Sequence, residues 1–490
     1  MGIHETYDQS SAEHVLQNSN IGVLFLTTKQ LLSKKKKKRW NGKSSMMNLS
    51  SLKHLVLLDK MKVEIEKDAW VTERRGVCVW TLKDLMNMKE EEDEEDHATN
   101  EVTVLYTSGS SGVPKGVVVS SRTFLSEISE AIYTIPLITC SYIPLSHSSD
   151  RMKLWKFLAN GGRVHFVTYD PENWNAHEKV KKTGLVGSFV RNESTSPDIV
   201  DLFCMIQDTS PSAMSCPPRI WNGLYNIYLN KLRQGHDEMK ALQHVASMFG
   251  TRIKCLATGG GHTSAVVMDF AKRLAITCEA HFVESYGTTE VGAIAEDSKP
   301  RSNVSVRLRE KWGDNIGELE VRTPTMSSGY LNNEKATRES FLPDGYFRTG
   351  DLVRLHPKSK RIKILGRSSS AVVTKSGHVV FPSRLESCYE TRSILIDRVI
   401  VLARSDFDAV VAIVVPATST SEEACFRKDM IRIGRELNLS DIEIPKRIHV
   451  SSSKWTVSNG LLAGNTKMMR KKLCSHYSTE IECMWKSIVG

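Results

Sequence analysis

Short β-rich runs separated by helical stretches fill the chain up to about Gly366, and this alternation limits the fold more than any other feature. "IGVLFL" (Ile21 to Leu26), "HLVLLD" (His54 to Asp59), "VTVLYT" (Val102 to Thr107) and "RIKCLAT" (Arg252 to Thr258) read as buried strands. "TSAVVMDFAKRL" (Thr263 to Leu274) reads as a helix. Val266, Val267, Phe270, Ala271 and Leu274 fall on one face of it, after a Thr/Ser capping position. Strands alternating with helices predict an α/β fold with mainly parallel sheets. Beyond Gly366, "RSSSA" is a small polar stretch suited to a hinge. Strands are then expected at "DRVIVLA" and "AVVAIVVP", followed by a basic helical tail. The expected organisation is a large N-terminal domain (1–366), a hinge (367–370) and a small mobile α+β C-terminal domain (371–490).

With 490 residues, 40% of them hydrophobic, the chain can bury a substantial core. Its net charge of +10 would suit a nucleic acid or an anionic membrane, but much of the excess is local. "KKKKKR" (34–39) is answered by "KEEEDEED" (89–96). Like-charge blocks repel themselves into solvated loops, so both are read as loop insertions. The lysine run is the segment suited to a peripheral membrane contact. No RNA-binding motif or zinc-finger spacing accompanies it, so no nucleic acid partner is expected. Ten cysteines lie singly from Cys78 to Cys483, and the first residues carry no apolar leader. Both point to reduced thiols and a cytoplasmic location. The longest uncharged stretch, about 131–149, contains two prolines and is shorter than the roughly 20 apolar residues of a transmembrane helix. The final "SIVG" is not a peroxisomal address.

The segment "YTSGSSGVPKGV" (Tyr106 to Val117) carries the first chemistry. Gly109 and Gly112 allow close backbone approach, Thr107, Ser108, Ser110 and Ser111 offer hydroxyls, and Lys115 offers a charge. A Walker A loop needs Gly-Lys-Ser/Thr opening a helix. Here Lys115 precedes Gly116 and a β-rich "VVVS", so this is not a P-loop. Taken alone, the segment leaves a phosphate cradle and a plain linker both open.

The whole string, however, resembles the phosphate loop of the adenylate-forming (AMP-binding) superfamily, and further motifs follow in that family's order. The resemblance is strongest to long-chain fatty acyl-CoA synthetases and to adenylation domains of carboxylic acid reductases. "YIPLSHSSDRM" is similar to the segment whose histidine lines the carboxylate pocket, which implies that role for His147. "ATGGGH" implies that Gly259, Gly260 and Gly261 accommodate adenine. "ESYGTTEVG" implies Tyr286 packed on adenine, Gly287 and Thr288 beside the nucleotide, Thr289 at the α-phosphate and Glu290 on Mg²⁺. "YFRTGDL" implies Asp351 as acceptor of the ribose hydroxyls. "ILGRSSSAVVTKSGHVVFPSRLE" resembles the hinge motif, implying Arg367 as its nucleotide-binding arginine and Gly377 beside the pantetheine channel. Ser369 and Ser370 stand where the family commonly has Lys and Asp or Asn, and His378 replaces a common acidic residue. "NGLLAGNTKMMRKKL" resembles the long-chain synthetase tail, implying Lys467 as the catalytic lysine.

The resemblance therefore implies ATP-dependent activation of a carboxylic acid, a long-chain fatty acid by the "NGLL" tail and its companions. Acyl-adenylate would form first and acyl-CoA second, with ATP, Mg²⁺ and CoA as cosubstrates and cofactor. Two alternatives remain: a stand-alone adenylation domain of the carboxylic acid reductase kind, and a non-catalytic nucleotide- or acyl-binding chain. The second is motivated by the start of the sequence, which looks truncated beside the family: members normally carry roughly a further hundred residues before the segment resembling Gly2 to Phe25.

Overall fold

β-Branched and aromatic residues cluster in the segments that form strands, and each strand's alternation decides which face is covered. The computed structural model describes residues 9–21, 23–26, 51–57, 78–81, 84, 101–108, 113–129, 137–143, 145–167, 197–261, 263–309, 315–417, 422–456, 459–462 and 468–489. Both charge runs, residues 109–112 and Lys467 lie outside these.

By contact the chain divides into two units, and the first comprises Met1–Phe124, Ser327–Glu339 and Thr456–Leu473. In it the strands Val23–Leu26, His54–Leu57 and Cys78–Thr81 pair in parallel, Val23 opposite His54 and His54 opposite Cys78. In the edge strand Leu24 is buried while Val23 and Phe25 on the other face are exposed, a period of two; in the central strand Leu55 and Val56 are both buried. Helix Gln9–Ser19 buries Ala12, Val15 and Leu16 completely. Strands Glu101–Ser108 and Pro114–Ser120 form an antiparallel hairpin with Thr107 opposite Lys115. A Cβ on Gly116 would lie 2.9 Å from the Tyr106 ring, so glycine lets that ring cross the hairpin. The Tyr106 hydroxyl then donates to Asn18 Oδ1 at 2.7 Å.

The second unit comprises Leu125–Met326, Ser340–Trp455 and Cys474–Gly490. Its five-stranded sheet runs Lys299–Pro300, Gly292–Glu296, His281–Thr288, Cys255–Gly259, Ala213–Cys216. The last three strands are parallel and the first two antiparallel. Helix Ala265–Thr277 packs its Val267, Phe270, Ala271 and Leu274 into a core with Trp221 and Phe249. It starts directly after the expected Thr/Ser capping position: Ser264 is the N-cap, its hydroxyl accepting from the Val267 N–H at 3.5 Å. Parallel strands Ile138–Ser141 and Arg163–Phe166 flank helix Ser148–Ala159 in sequence. A four-stranded antiparallel sheet, Ser305–Arg309, Ile316–Arg322, Phe347–Leu355 and Ile362–Arg367, follows. The parallel ladders of the α/β expectation are thus joined by antiparallel ones that strand-helix alternation does not announce.

Residues 380–448 supply a core of their own, with Leu385, Tyr389, Val399, Val410 and Phe426 fully buried. Strand Ile396–Ala403 is at the edge of the sheet here, antiparallel to Val410–Pro416, which runs parallel to Arg447–Val450. Helix Pro382–Arg392 covers that edge. Glu386 accepts from the Val401 N–H at 2.8 Å and Glu390 from the Val399 N–H at 3.0 Å. Burial pushes the Glu390 carboxyl up to about 7, against Arg398 and the Val399 N–H, which lower it. Its ordinary value is 4.5, so between these values the folded chain holds the proton that the unfolded chain releases, and stability falls as pH rises. Glu390→Gln keeps the acceptor without that loss. Urea denaturation of the variant is expected to show about 2 kcal/mol more stability at pH 8 and little gain at pH 4. Equal midpoints for the two proteins at pH 8 would remove this account.

Candidate functional site

Three glycines end the strand Cys255–Gly259 and begin the turn after it. Gly259 stands opposite Ser285, and a Cβ there would lie 2.8 Å from the Ser285 carbonyl oxygen. Gly260 has φ +74°, the left-handed region open to glycine. The neighbouring strand His281–Thr288 carries a register shift between Tyr286 and Gly287. Such a bulge re-aims the side chains beside it. Gly287 is pressed against the returning strand: a Cβ on it would meet the Gly292 carbonyl oxygen at 2.3 Å.

Tyr286 donates its hydroxyl to Asp351 Oδ2 at 2.6 Å. Asp351 lies in the strand Phe347–Leu355, opposite Arg367, whose Nε is 3.1 Å from Asp351 Oδ1. Arg367 also donates from Nη1 to the Thr349 carbonyl at 2.8 Å, and the Asp351 N–H donates to Thr349 Oγ1 at 3.1 Å. The "TGD" tripeptide lies within the strand, with Thr349 and Asp351 buried and Asp351 6% exposed. Burial pushes the Asp351 carboxyl up, Arg367 and the Tyr286 hydroxyl pull it down, and Glu290 and Glu318 add to the rise. Burial, then the Asp351 charge, holds the Tyr286 hydroxyl well above its ordinary value, so it stays a donor.

His147 is the extended N-cap of helix Ser148–Ala159, with φ −86° and ψ 131°. Burial holds its imidazole below the usual value, with Asp150 opposing, which leaves the ring neutral near pH 7. Ser148 Oγ is 3.1 Å from Thr289 Oγ1. Motif reading passed over Ser148 and Asp150. Asp150 is 1% exposed, accepts from the Ser141 hydroxyl and pairs with Lys153 at 2.5 Å, anchoring the helix that His147 caps. An acidic residue in a helix's first turn was the available signal. The buried Thr288 hydroxyl has no hydrogen-bond partner among the described residues.

The second unit thus brings Tyr286, Asp351 and Arg367 into direct contact and Thr289 against the His147 helix, with Glu290 near enough to act on Asp351. Gly377, φ +84°, turns the chain between Val372–Val373 and Val379–Val380, with no atom within 4 Å of where a Cβ would stand. Beside it, His378 Nε2 is 3.3 Å from Ser440 Oγ. Ser368–Ser370 form a single 3₁₀ turn in which the Ser370 hydroxyl donates to the Arg367 carbonyl at 3.1 Å. In the first unit, Thr107 and Ser108 end one hairpin strand and Lys115 begins near the start of the other, its ammonium 4.9 Å from the Tyr330 ring centroid. Gly109, Ser110, Ser111 and Gly112 lie outside the described residues, as does Lys467. On either side of the lysine, Leu462 and Met468 pair as an antiparallel bridge, and the Met469 N–H donates to the Leu461 carbonyl at 3.0 Å.

Chemically, the second unit offers a buried carboxylate with spare acceptor capacity, an arginine, a ring beside a glycine turn, and hydroxyls on a tight hairpin. Among the described residues no group of three His, Cys, Asp or Glu side chains is placed to hold a metal ion. No described helix is long and apolar enough to cross a membrane.

The model of the AMP-binding enzyme family matches residues 1–331. The long-chain-fatty-acid–CoA ligase 1 of Schizosaccharomyces pombe is 26% identical over 456 residues, covering 78% of this chain and 64% of that protein. The carboxylic acid reductase of Mycobacterium marinum is 25% identical over 417 residues, covering 79% of this chain and 33% of that protein. The chain therefore spans less than two thirds of the length of either relative. A solved structure with the same fold is the A domain of carboxylic acid reductase from Segniliparus rugosus, in complex with AMP and a co-purified carboxylic acid. It has a TM-score of 0.77 at 20% identity and covers 99% of this chain and 78% of that one.

Proposed function

Since the chain belongs to the AMP-binding enzyme family, we propose that it activates a long-chain fatty acid with ATP and passes the acyl group to CoA. The observation that carries this reading is the buried Asp351 carboxylate held between the Tyr286 hydroxyl and Arg367. A carboxylate has about four acceptor sites, and two are used here, which leaves room for the two hydroxyls of a ribose.

In the first half-reaction a carboxylate oxygen of the acid attacks the α-phosphorus of ATP and the bond to pyrophosphate breaks. The protein's work is alignment and offsetting of charge. Thr289 and Lys467 offer a hydroxyl and an ammonium to the α-phosphate. Residues 107–112 and Lys115 take the outer phosphates, and the neutral His147 lines the pocket for the acid. Tyr286 and Gly259–Gly261 receive the adenine. Mg²⁺ fits this donor set: a hard cation takes one or two oxygens from protein and others from phosphate, and Glu290 would hold it. When bound it supplies neutralisation of phosphate charge. In the second half-reaction the CoA sulfur attacks the acyl carbon, AMP leaves, and the thiol proton passes to solvent. Residues 367–370 are the hinge about which 371–490 turns between the two, withdrawing Lys467 and bringing Gly377 to the pantetheine. A cytoplasmic location with the 34–39 lysines against a membrane surface would suit an acyl substrate.

The likeness of fold to a reductase A domain favours a second reading, a stand-alone adenylation domain that does not use free CoA. Pyrophosphate release with ATP, Mg²⁺ and a panel of fatty acids tests both, and product analysis with and without CoA separates them. Release with a long-chain acid and an acyl-CoA product are expected. If folded protein releases no pyrophosphate with any acid, the chain is a binding protein rather than a ligase.

A further inference from the structure

We propose that the hydroxyl of Tyr286, as distinct from its ring, is a positioning group that fixes the Asp351 carboxylate for the ribose diol and so sets the preference for ribonucleotides. The inference rests on the nucleotide reading above and adds to it a role for one atom.

Asp351 is held from two sides. Arg367 reaches Oδ1 at 3.1 Å, but its side chain is 59% exposed, and it ends a strand that passes at once into the Ser368–Ser370 turn. Tyr286 reaches Oδ2 at 2.6 Å from a strand inside the five-stranded sheet, its ring packed against a core that contains Val291, Leu319 and Val353. The tyrosine therefore holds Oδ2 from inside a sheet, while the arginine, itself donating to the Thr349 carbonyl at 2.8 Å, holds Oδ1 from the exposed end of its strand. A carboxylate with one oxygen pinned has a defined plane, and its remaining lone pairs point in fixed directions. Without the pin, the plane turns about the terminal side-chain torsion, which is broad for aspartate. The charged groups acting on this carboxylate are Arg367, Glu290 and Glu318. Of these, the two glutamates repel it, so neither replaces the tyrosine as a restraint. The register shift between Tyr286 and Gly287 lies beside this contact, and the hydroxyl reaches Asp351 in the four-stranded sheet.

The test measures binding of AMP and of 2′,3′-dideoxy-AMP by calorimetry to the full chain and to Tyr286→Phe, which keeps the ring. The unaltered chain is expected to prefer AMP, and the variant to lose about tenfold of that preference, as for removal of one hydrogen bond to a charged group. Weakening of both nucleotides by the same factor would mean that the hydroxyl acts only on the fold, and would overturn the inference while leaving the nucleotide reading intact. No preference in the unaltered chain would also overturn it. No AMP binding by the unaltered chain would remove the nucleotide reading itself. If the phenylalanine variant does not fold, fluorotyrosine at 286 keeps ring and hydroxyl while changing donor strength. The preference should then track that strength, and a constant preference would overturn the inference.

Discussion

Lys467→Ala is expected to slow pyrophosphate release by about 10²–10³-fold, the usual effect of removing one preorganised charge partner from a transition state. Formation of thioester from supplied acyl-adenylate should be nearly unchanged, because the proposed second step leaves the lysine behind. The tail is rich in cations, so the question is whether a neighbour substitutes. Arg470, Lys471 and Lys472 fall in the helix Arg470–His476, beyond the bridge between Leu462 and Met468. That bridge, with the Met469 to Leu461 hydrogen bond, ties Leu461 and Leu462 to Met468 and Met469. A helix-borne cation cannot slide into position 467 without breaking it. Pre-steady-state assays of the two half-reactions check this. Equal loss in both would assign the lysine to stability or to binding of all substrates.

Gly287→Ala is expected to cost about 3 kcal/mol or more of folding stability, with activity lost alongside. The added Cβ would stand 2.3 Å from the Gly292 carbonyl oxygen and 3.1 Å from Ala293 Cα. Both are backbone atoms of the paired strand, so no side chain can move aside. The hairpin must open, and it is the hairpin that carries Tyr286, Thr288, Thr289 and Glu290. Gly235→Ala is the control: φ is +87° but nothing lies within 4 Å of its Cβ position, so about 1 kcal/mol for the strained backbone is expected. Urea denaturation of both variants measures the contrast. Equal losses would show that the close approach at Gly287 relaxes without cost.

Six of the strands were legible because β-branched runs bounded by small residues are a local signal; five of them form within two residues of their expected limits, and Cys255–Gly259 starts three residues later than its run. Helix Ala265–Thr277 was legible for the same reason, since its apolar face and its serine cap are both local. The antiparallel sheet from Ser305 to Arg367 was not. Its pairings depend on register between distant segments, and its strands carry alternating charges that pair across it, as Arg307 does with Glu320 at 2.6 Å. Motif order pointed to Asp351, Tyr286 and Arg367 singly, but not to their mutual hydrogen bonds, because side-chain contact between residues 65 positions apart is a product of the tertiary fold. Ser148 was missed because its partner Thr289 is 141 positions away.

An edge strand ordinarily offers a row of free N–H groups to any extended chain that drifts past. Along Ile396–Ala403 two of those groups, on Val399 and Val401, are already taken by carboxylates one helical turn apart on the covering helix. The acceptors stay in place whether Glu390 is charged or neutral, since either form presents a carbonyl-type oxygen. The expected consequence is colloidal: with those groups taken, this edge should be a poorer template for intermolecular β-sheet than a bare one. Removing both caps together, by Glu386→Ala with Glu390→Ala, is expected to bare that edge and speed intermolecular β-sheet growth, as read by thioflavin fluorescence.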